Sequence, residues 1–442
     1  MLHKRSIKEK LLKGGAWAFS GKIITAFIGL SINALLARLL PPDELGAYFL
    51  TFSIVSLAAI FAQFGLTKST VRLVAESMGT ERQGRARAFI TTSLRICTLT
   101  SFIIVCLLVF GAGEWIAKQL FESELISQVM GLAPAWVVII VFQQLMAEVF
   151  RGFHDIRLAI LFGGLVTGLI AMFLFFTLWL LQGYSNLSQI IQLMLIAGIS
   201  SIIISSLLLW KKLSILPLQS DDKINIPEII SLSWPLWITS LTFFVLIQVD
   251  LWIMGAFRPQ EEVAVYGAVT RTVALVTMPL LIVNAVVPPL IAEMYAQGKT
   301  EQLEKAIRTV STLAGFPSLI ILVCFLIFGE SLLGMIFGEY YQIGGLILTI
   351  LSVGQLTNVW VGSCGQVLML TGHQVIMMRI TVFSGMFAAI SAFFLVSKYG
   401  GVGVAIASSS GMILQNLLML FFAKKSTGIW THVSFSKLDL KL

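Results

Sequence analysis

Five ionisable side chains lie within stretches that are otherwise apolar enough to cross a membrane. The cations are Lys22, Arg95 and Arg271, and the acids are Asp250 and Glu148. An isolated charge at mid-bilayer costs at least about 2.5–3.5 kcal/mol, so such residues usually face a cavity or a partner. Binding chemistry is therefore expected at these positions.

Two of the cations fall in the first half of the chain and belong to polar stripes. Lys22 begins the series Lys22, Thr25, Gly29 and Asn33, whose spacing places it on one helix face. Arg95 is flanked at helical spacing by threonines. One interpretation is a cationic cleft that receives an anionic headgroup. The alternative is that each cation snorkels to the cytosolic headgroups or pairs internally.

The other charges are in positions to pair or to take up an ion. Asp250 and Arg271 lie on consecutive spans joined by a short turn, both in the outer half of the bilayer. They could neutralise each other, or Asp250 could take up a coupling proton or sodium ion while Arg271 contacts substrate. Glu148 and Arg151 are spaced to form an interfacial pair, and Glu148 is a second candidate for ion coupling.

A third polar stripe lies near the end of the chain. Gln355, Asn358, Gly362 and Gln366 share one face of the predicted tenth span. They could line a cavity with hydrogen bonds suited to sugars, or hold helices together with a close-packing glycine.

Other chemistries lack the residues they need. The four cysteines lie in apolar runs without a CxxC pair, and the four histidines form no ligand cluster, so no metal site and no catalytic residues are expected. The Walker motif GxxxxGK[ST] is absent. We therefore expect a protein that is not an enzyme and that needs no cofactor beyond a coupling ion.

The elements that position these residues are membrane helices. The 442 residues are 57% hydrophobic and only 12% charged, whereas soluble domains have roughly a quarter charged residues. Stretches of about 20 apolar residues predict spans. Twelve are found, at 14–37, 45–67, 88–111, 125–150, 157–181, 188–210, 229–256, 262–289, 309–329, 340–369, 374–397 and 401–423.

The distribution of Lys and Arg predicts the orientation. Alternate connections contain 23 of these residues, against 4 on the opposite side. The positive-inside rule then places both termini in the cytosol. The net charge of +8 is explained by this topology, and nucleic-acid binding is not needed to account for it.

The sequence also repeats itself with an offset of about 218 residues. "ALLARLLPPDELGAYFL" (34–50) matches the outline of "GAFRPQEEVAVYGAV" (255–269), "MGTERQGRAR" (78–87) that of "QGKTEQLEKA" (297–306), and "FRGFHDIR" (150–157) that of "LMLTGHQVIM" (368–377). Two duplicated six-helix halves insert the same way up, and substrate binds where such halves meet. The predicted fold is all-α, with about twelve transmembrane helices in two pseudo-symmetric lobes around a central cavity.

The predicted boundaries follow from the repeat and from one polar stretch. They are an N-terminal lobe at 1–210, a cytosolic linker at 211–228, a C-terminal lobe at 229–425 and a cytosolic tail at 426–442. Rocking of the lobes between inward-open and outward-open states is the expected mechanism.

The two stretches "ARLLPPDELGAYFLTFSIVSLAAIFAQFGLTKSTVRLVAE" and "VDLWIMGAFRPQEEVAVYGAVTRTVALVTMPL" resemble the starts of the two halves of the oligosaccharide flippase (polysaccharide transporter) family. This family belongs to the multidrug/oligosaccharidyl-lipid/polysaccharide exporter (MOP) superfamily. The resemblance implies a flippase in the bacterial inner membrane that exports undecaprenyl-diphosphate-linked oligosaccharide units for O-antigen, capsule or exopolysaccharide assembly. It also implies membrane lipids and a polysaccharide polymerase as partners. By helix position and chemistry, Lys22, Arg95 and Arg271 would hold the diphosphate and acidic sugars.

Three alternatives remain at this point. A multidrug cation antiporter of the same fold would need acidic cavity residues, of which Asp250 is a candidate. A lipid-linked peptidoglycan-precursor flippase would also suit a cationic cleft, although that branch often has two further helices. A non-transporting membrane scaffold would leave the polar stripes unexplained.

Overall fold

The computed structural model describes residues 2–80, 82–217 and 226–434, and within these ranges the secondary structure is helical, with no β-strand. Contacts divide the chain into two units, Met1–Gln248 and Val249–Leu442. The division falls within one long helix, so residues 226–248 of that helix belong with the first unit. The predicted linker at 211–228 begins inside a helix, and its residues 218–225 lie outside the described ranges.

Among its described residues, the first unit contains ten helices and the start of an eleventh. Short π-helical turns at Leu108–Ala112, Ile116–Leu120 and Leu161–Leu165 join some of them end to end. The helices are α1 (Leu2–Leu39), α2 (Pro42–Gln63), α3 (Leu66–Gly79), α4 (Gln83–Leu107), α5 (Gly113–Trp115), α6 (Glu124–Val129), α7 (Ala133–Gly152), α8 (Ile156–Ile160), α9 (Val166–Gln182), α10 (Leu187–Ile215) and α11 (Ile226–Phe257).

The second unit begins in the last turns of α11. A short 3₁₀ segment at Glu339–Gly344 precedes its third helix. The helices are α12 (Gln260–Ala296), α13 (Thr300–Phe337), α14 (Gly345–Val361), α15 (Cys364–Leu370) and α16 (Gln374–Thr427).

Ten of the described helical segments are long and apolar enough to cross a bilayer, and α1 adds a shorter apolar part at Ile23–Leu39. The chain is therefore a multi-pass membrane protein. Many large apolar side chains on these helices are exposed, as expected where the surrounding solvent is lipid.

The last helix is a hairpin rather than a single rod. A straight helix of 54 residues would be about 80 Å long, more than twice the hydrocarbon thickness of a bilayer. Gly400 has φ 53° and ψ −139°, which reverses the chain. Beyond it, Gly411 approaches the methyl group of Ala388 and Gly403 approaches the carbonyl of Leu395, so the two arms run antiparallel. This agrees with the predicted pair of spans at 374–397 and 401–423; the total of twelve crossings stays a prediction.

The first pair of repeated stretches, 34–50 and 255–269, forms the same turn in both units. Pro41 (φ −62°, ψ 154°) and Pro259 (φ −57°, ψ 154°) each precede a helix in the same extended conformation. Their carbonyls accept the amides of Leu45 (3.0 Å) and Val263 (3.3 Å). Proline is well placed at a helix start because it has no amide to leave unpaired.

The third pair of repeated stretches, 150–157 and 368–377, also forms the same turn in both units. The amide of Asp155 donates to the carbonyl of Phe150 (3.0 Å), and that of His373 donates to Leu368 (2.8 Å). The residue before each donor is left-handed, at His154 (φ 59°) and Gly372 (φ 87°). These positions differ by 218, so the duplication predicted from sequence has a counterpart in backbone geometry.

The two units differ in where their helices break. In the first unit the helix breaks at Phe64 and Gly65, both left-handed, and α3 follows. The equivalent stretch of α12 is continuous. In the second unit the break falls between α14 and α15 at Gly362 (φ 77°, ψ −153°), where the sequence predicted one continuous span over 340–369. That prediction was wrong, because the glycine there leaves the helix rather than packing within it.

Candidate functional site

Asp250, which is half-buried, forms a polar cluster with two hydroxyl groups. Its Oδ2 accepts hydrogen bonds from Tyr266 (3.1 Å) and from Ser408 Oγ (2.6 Å). Asp250 and Tyr266 are each eight residues from Arg258 in the turn joining α11 to α12, so the hairpin brings them level. The second arm of α16 supplies Ser408 from the opposite side.

The geometry of this cluster suits a carboxylate whose negative charge can be neutralised and restored. Both hydroxyls donate to the same oxygen, which stabilises the ionised form. A carboxylate among apolar helices is costly to keep charged, so uptake of a proton or a small cation relieves that cost. Neither Tyr266 nor Ser408 was singled out from sequence. Tyr266 did have a signal, since it aligns with Tyr48 in the repeat, whereas Ser408 lies 158 residues from its partner.

Arg271 lies further along α12 and is half-buried. Its Nη1 donates to the carbonyl of Gly267, one turn earlier, at 2.8 Å. The two hydrogen bonds that Asp250 accepts come from hydroxyl groups, and both reach Oδ2. The proposed substrate role of Arg271 stays a prediction.

The first-unit cations have different surroundings. Arg95 is exposed on a face of α4 that also carries Leu99 and Phe102, which are 61% and 66% exposed. These apolar neighbours are typical of a lipid-facing surface, so snorkelling of Arg95 stays an alternative to substrate contact. Lys22 lies in α1, and its side chain falls outside the described residues.

Asn33 and Glu148 are held within their own helices. The Asn33 amide donates to the carbonyl of Gly29 at 2.7 Å, which leaves its side-chain oxygen for another partner. Glu148 forms the predicted pair with Arg151 at 2.6 Å, and this pair is confirmed. An ion-coupling role for Glu148 is untested.

The predicted stripe on the tenth span is divided by the helix break. Gln355 and Asn358 lie half-buried on α14, whereas Gln366 lies on α15 beyond Gly362. Ser363, within the break, donates to Asn284 Oδ1 of α12 at 2.7 Å. The Gln366 side-chain oxygen is buried and has no hydrogen-bond partner among the described residues.

The turn between α11 and α12 carries an ion pair. Arg258 contacts Glu262 at 2.5 Å and 2.9 Å, beside the reversal at Gly400. The hydrogen bonds that Arg258 donates to the Glu262 carboxylate raise the pKa of its guanidinium above the ordinary value. In the first unit the equivalent acid, Glu44, accepts the amide of Leu187. The acid of the first unit thus joins its turn to α10, whereas that of the second unit pairs within its own turn.

Two family models match the chain. The model described as "Polysaccharide biosynthesis protein" matches residues 11–295, more than half of the chain, and "MatE" matches residues 235–394. The chain belongs to the polysaccharide biosynthesis protein family. The membership predicted from the repeated stretches is confirmed.

A relative in this family spans the chain almost completely. The "Putative O-antigen transporter" of Shigella flexneri is 22% identical over 432 residues, which is 96% of this chain and 100% of that protein.

Solved structures show the same fold. A multidrug resistance MATE family transporter of the MOP superfamily, in an inward-facing conformation, has a TM-score of 0.77 at 18% identity. The match covers 91% of this chain and 94% of that one. The lipid II flippase MurJ, in an inward closed conformation, has a TM-score of 0.71 at 17% identity, covering 92% of this chain and 87% of that one. The all-α membrane fold predicted from sequence is confirmed.

Proposed function

We propose that the protein is a flippase for undecaprenyl-diphosphate-linked oligosaccharide units in the bacterial inner membrane, serving surface polysaccharide assembly. The observation that carries the proposal is the family match over 11–295 together with full-length similarity to a protein named as an O-antigen transporter. A polysaccharide polymerase would act next on the exported unit.

The physical problem such a protein solves is desolvation. A diphosphate with several sugars loses its water in hydrocarbon, at a cost that makes unaided crossing negligible. In this proposal Lys22, Arg95 and Arg271 receive the diphosphate and acidic sugars. Asn33, Gln355 and Asn358 supply hydrogen bonds to sugar hydroxyls. The polyprenyl tail stays in lipid, so only the headgroup needs a polar route.

Ion coupling is assigned to the second unit. Asp250, with hydroxyl donors at 2.6 Å and 3.1 Å, is the group whose charge a proton or sodium ion would cancel. Glu148 is the secondary candidate. Twelve crossings with both termini in the cytosol, and alternating access between two lobes, complete the proposal.

Two alternatives use the same fold. Similarity to the MATE transporter and the carboxylate of Asp250 favour a multidrug cation antiporter. Similarity to MurJ favours a peptidoglycan-precursor flippase. The substrate distinguishes all three: a glycan on undecaprenyl diphosphate, a cationic drug, or lipid II.

The test is transport by the purified protein in vesicles. Each lipid-linked candidate carries a fluorophore, and a quencher that cannot cross the membrane reports its movement between leaflets. We expect movement of the oligosaccharide-linked lipid and none of lipid II or an ethidium-like cation. Movement of either of the latter alone would overturn the assignment.

A matched pair of variants tests the cations. Arg95→Ala should abolish glycan display in cells while the protein still reaches the membrane, and Arg95→Lys should restore part of it, because charge is what binds a diphosphate. Full display by Arg95→Ala would assign this residue to the lipid-facing surface. The same two outcomes have the same meaning for Lys22→Ala.

A further inference from the structure

The segment that follows the last helix folds back onto the second unit. α16 ends at Thr427, and Gly428 (φ 76°) turns the chain. Residues 428–434, here named the C-terminal strap, then run without helical structure, with Ile429 and Thr431 fully buried. The sequence predicted only a cytosolic tail at 426–442, of which residues 435–442 lie outside the described ranges.

The strap supplies hydrogen bonds that the break between α14 and α15 lacks. In a continuous helix the carbonyl of Trp360 would accept the amide of Cys364, but that amide donates to Gly362 instead, at 2.9 Å. Val433 donates its amide to Trp360 (2.9 Å), and Thr431 donates its hydroxyl to the carbonyl of Val361 (2.7 Å). Orphan carbonyls at a helix end must find such partners when water is excluded.

The break is shaped to admit the strap. A side chain at Gly362 would place its Cβ 2.5 Å from the carbonyl oxygen of Thr431 and 2.2 Å from Ser311 Oγ. At Gly315, on α13, a Cβ would lie 3.0 Å from Val433. Glycine at 362 therefore serves both the left-handed backbone and the close approach of the strap.

Polar contacts with α13 fix the strap along its length. Glu304 Oε2 accepts the amide of Trp430 at 3.0 Å and also contacts Lys424 at 3.5 Å. Arg308 donates to the carbonyl of His432 at 3.4 Å. The hydroxyl oxygen of Thr312 accepts the amide of Ser434 at 3.0 Å.

The first unit makes a comparable contact just after α10. After α10, the carbonyl of Leu216 accepts Arg87 of α4 at 2.8 Å, much as His432 accepts Arg308 of α13. The helix equivalent to α14–α15 is α7, which is continuous to Gly152. Among the described residues, a segment that completes a broken helix is therefore found in the second unit.

We propose that the C-terminal strap is a positioning element for transport. It closes the α14–α15 break and thereby holds Asn358, Ser363 and Gln366 in their present arrangement. The strap acts through these groups and does not itself contact substrate. The strap contacts carry the structural part of the inference, and its role in transport rests on the proposed function, whichever lipid-linked substrate is carried.

The test uses Cys364, which is buried directly beyond the break, as a reporter. The other cysteines, Cys97, Cys106 and Cys324, are replaced by alanine, and labelling by N-ethylmaleimide is measured in membranes. Loss of one neutral hydrogen bond shifts an opening equilibrium by about fivefold. We expect Thr431→Val to raise the labelling rate by about that factor, and Thr431→Ser to leave it unchanged.

Two truncations extend the test. Deletion of 435–442 should leave labelling and transport unchanged, whereas deletion of 429–442 should raise labelling at least about 25-fold, for the two lost carbonyl bonds, and abolish transport. If the longer deletion fails to insert, Thr431→Val and Arg308→Gln decide the question. Unchanged labelling with normal transport in these variants would overturn the proposal. Raised labelling together with a higher substrate concentration for half-maximal transport, at an unchanged maximal rate, would support it.

Discussion

Replacement of Asp250 by asparagine removes a charge while preserving shape. An amide oxygen in the place of Oδ2 can still accept the hydroxyls of Tyr266 and Ser408, now at 3.1 Å and 2.6 Å. Charge-assisted hydrogen bonds become neutral ones, which destabilises by about 1–2 kcal/mol, and the cost of keeping a carboxylate among apolar helices is removed. We therefore expect Asp250→Asn to fold and insert normally.

The functional effect should be far larger than the structural one. If one coupling ion bound at Asp250 crosses the membrane in each cycle, a potential of 100 mV contributes about 2.3 kcal/mol to transport. That energy corresponds to about a 50-fold ratio of substrate between the two sides. Asp250→Asn should lose this ratio and equilibrate substrate without accumulating it.

The assay is transport in vesicles carrying an imposed potassium diffusion potential, a pH gradient or a sodium gradient, each applied separately. Tyr266→Phe and Ser408→Ala are the matched controls, because each keeps the carboxylate and removes one donor. Both should retain gradient dependence. Accumulation by Asp250→Asn equal to that of the unmodified protein under every gradient would refute the coupling role and leave the cluster as a structural contact.

Two further predictions concern turns and breaks. Gly65→Ala should lower the thermal unfolding temperature of the detergent-solubilised protein strongly, because its Cβ would lie 2.2 Å from a backbone oxygen of α11 at a φ of +72°; Gly79→Ala, with no atom within 4 Å, is the control and should change little. Equal melting of the two variants would contradict the packing argument. Glu44→Gln should destabilise by about 1 kcal/mol, because a neutral side chain accepts the Leu187 amide more weakly than a carboxylate. An unchanged melting temperature would show that this contact contributes nothing measurable.

The sequence predicted the duplicated turns because local chemistry defines them. Proline at 41 and 259 cannot continue a helix, and acids follow each in the first helical turn. The turns at 150–155 and 368–373 were also indicated by a pair of similar stretches in the sequence. Such turns depend on a few neighbouring residues, so they persist when the surrounding sequences of the two halves diverge.

The parts that sequence missed depend on contacts between distant segments. Ser408 reaches Asp250 only because Gly400 folds α16 back, and nothing near residue 408 signals this. From sequence, Gly362 resembles an ordinary close-packing glycine, and nothing nearby indicates that Thr431, 70 residues from Val361, packs against this break. Buried polar groups that are satisfied by remote partners leave no local pattern.

The differences between the two units are where separate functions are expected. Asp250 aligns with Ile32, and Ser408 with Ile190, so the carboxylate cluster has no counterpart in the first half. The break at Gly362 aligns with Gln144 of continuous α7, whose side chain accepts a hydrogen bond from Gln63 at 2.7 Å. Duplication thus kept the turns that define the fold, while charge and backbone irregularity diverged. Because coupling is assigned to the carboxylate of Asp250, Ile32→Asp should leave the gradient dependence of transport unchanged in the same vesicle assay.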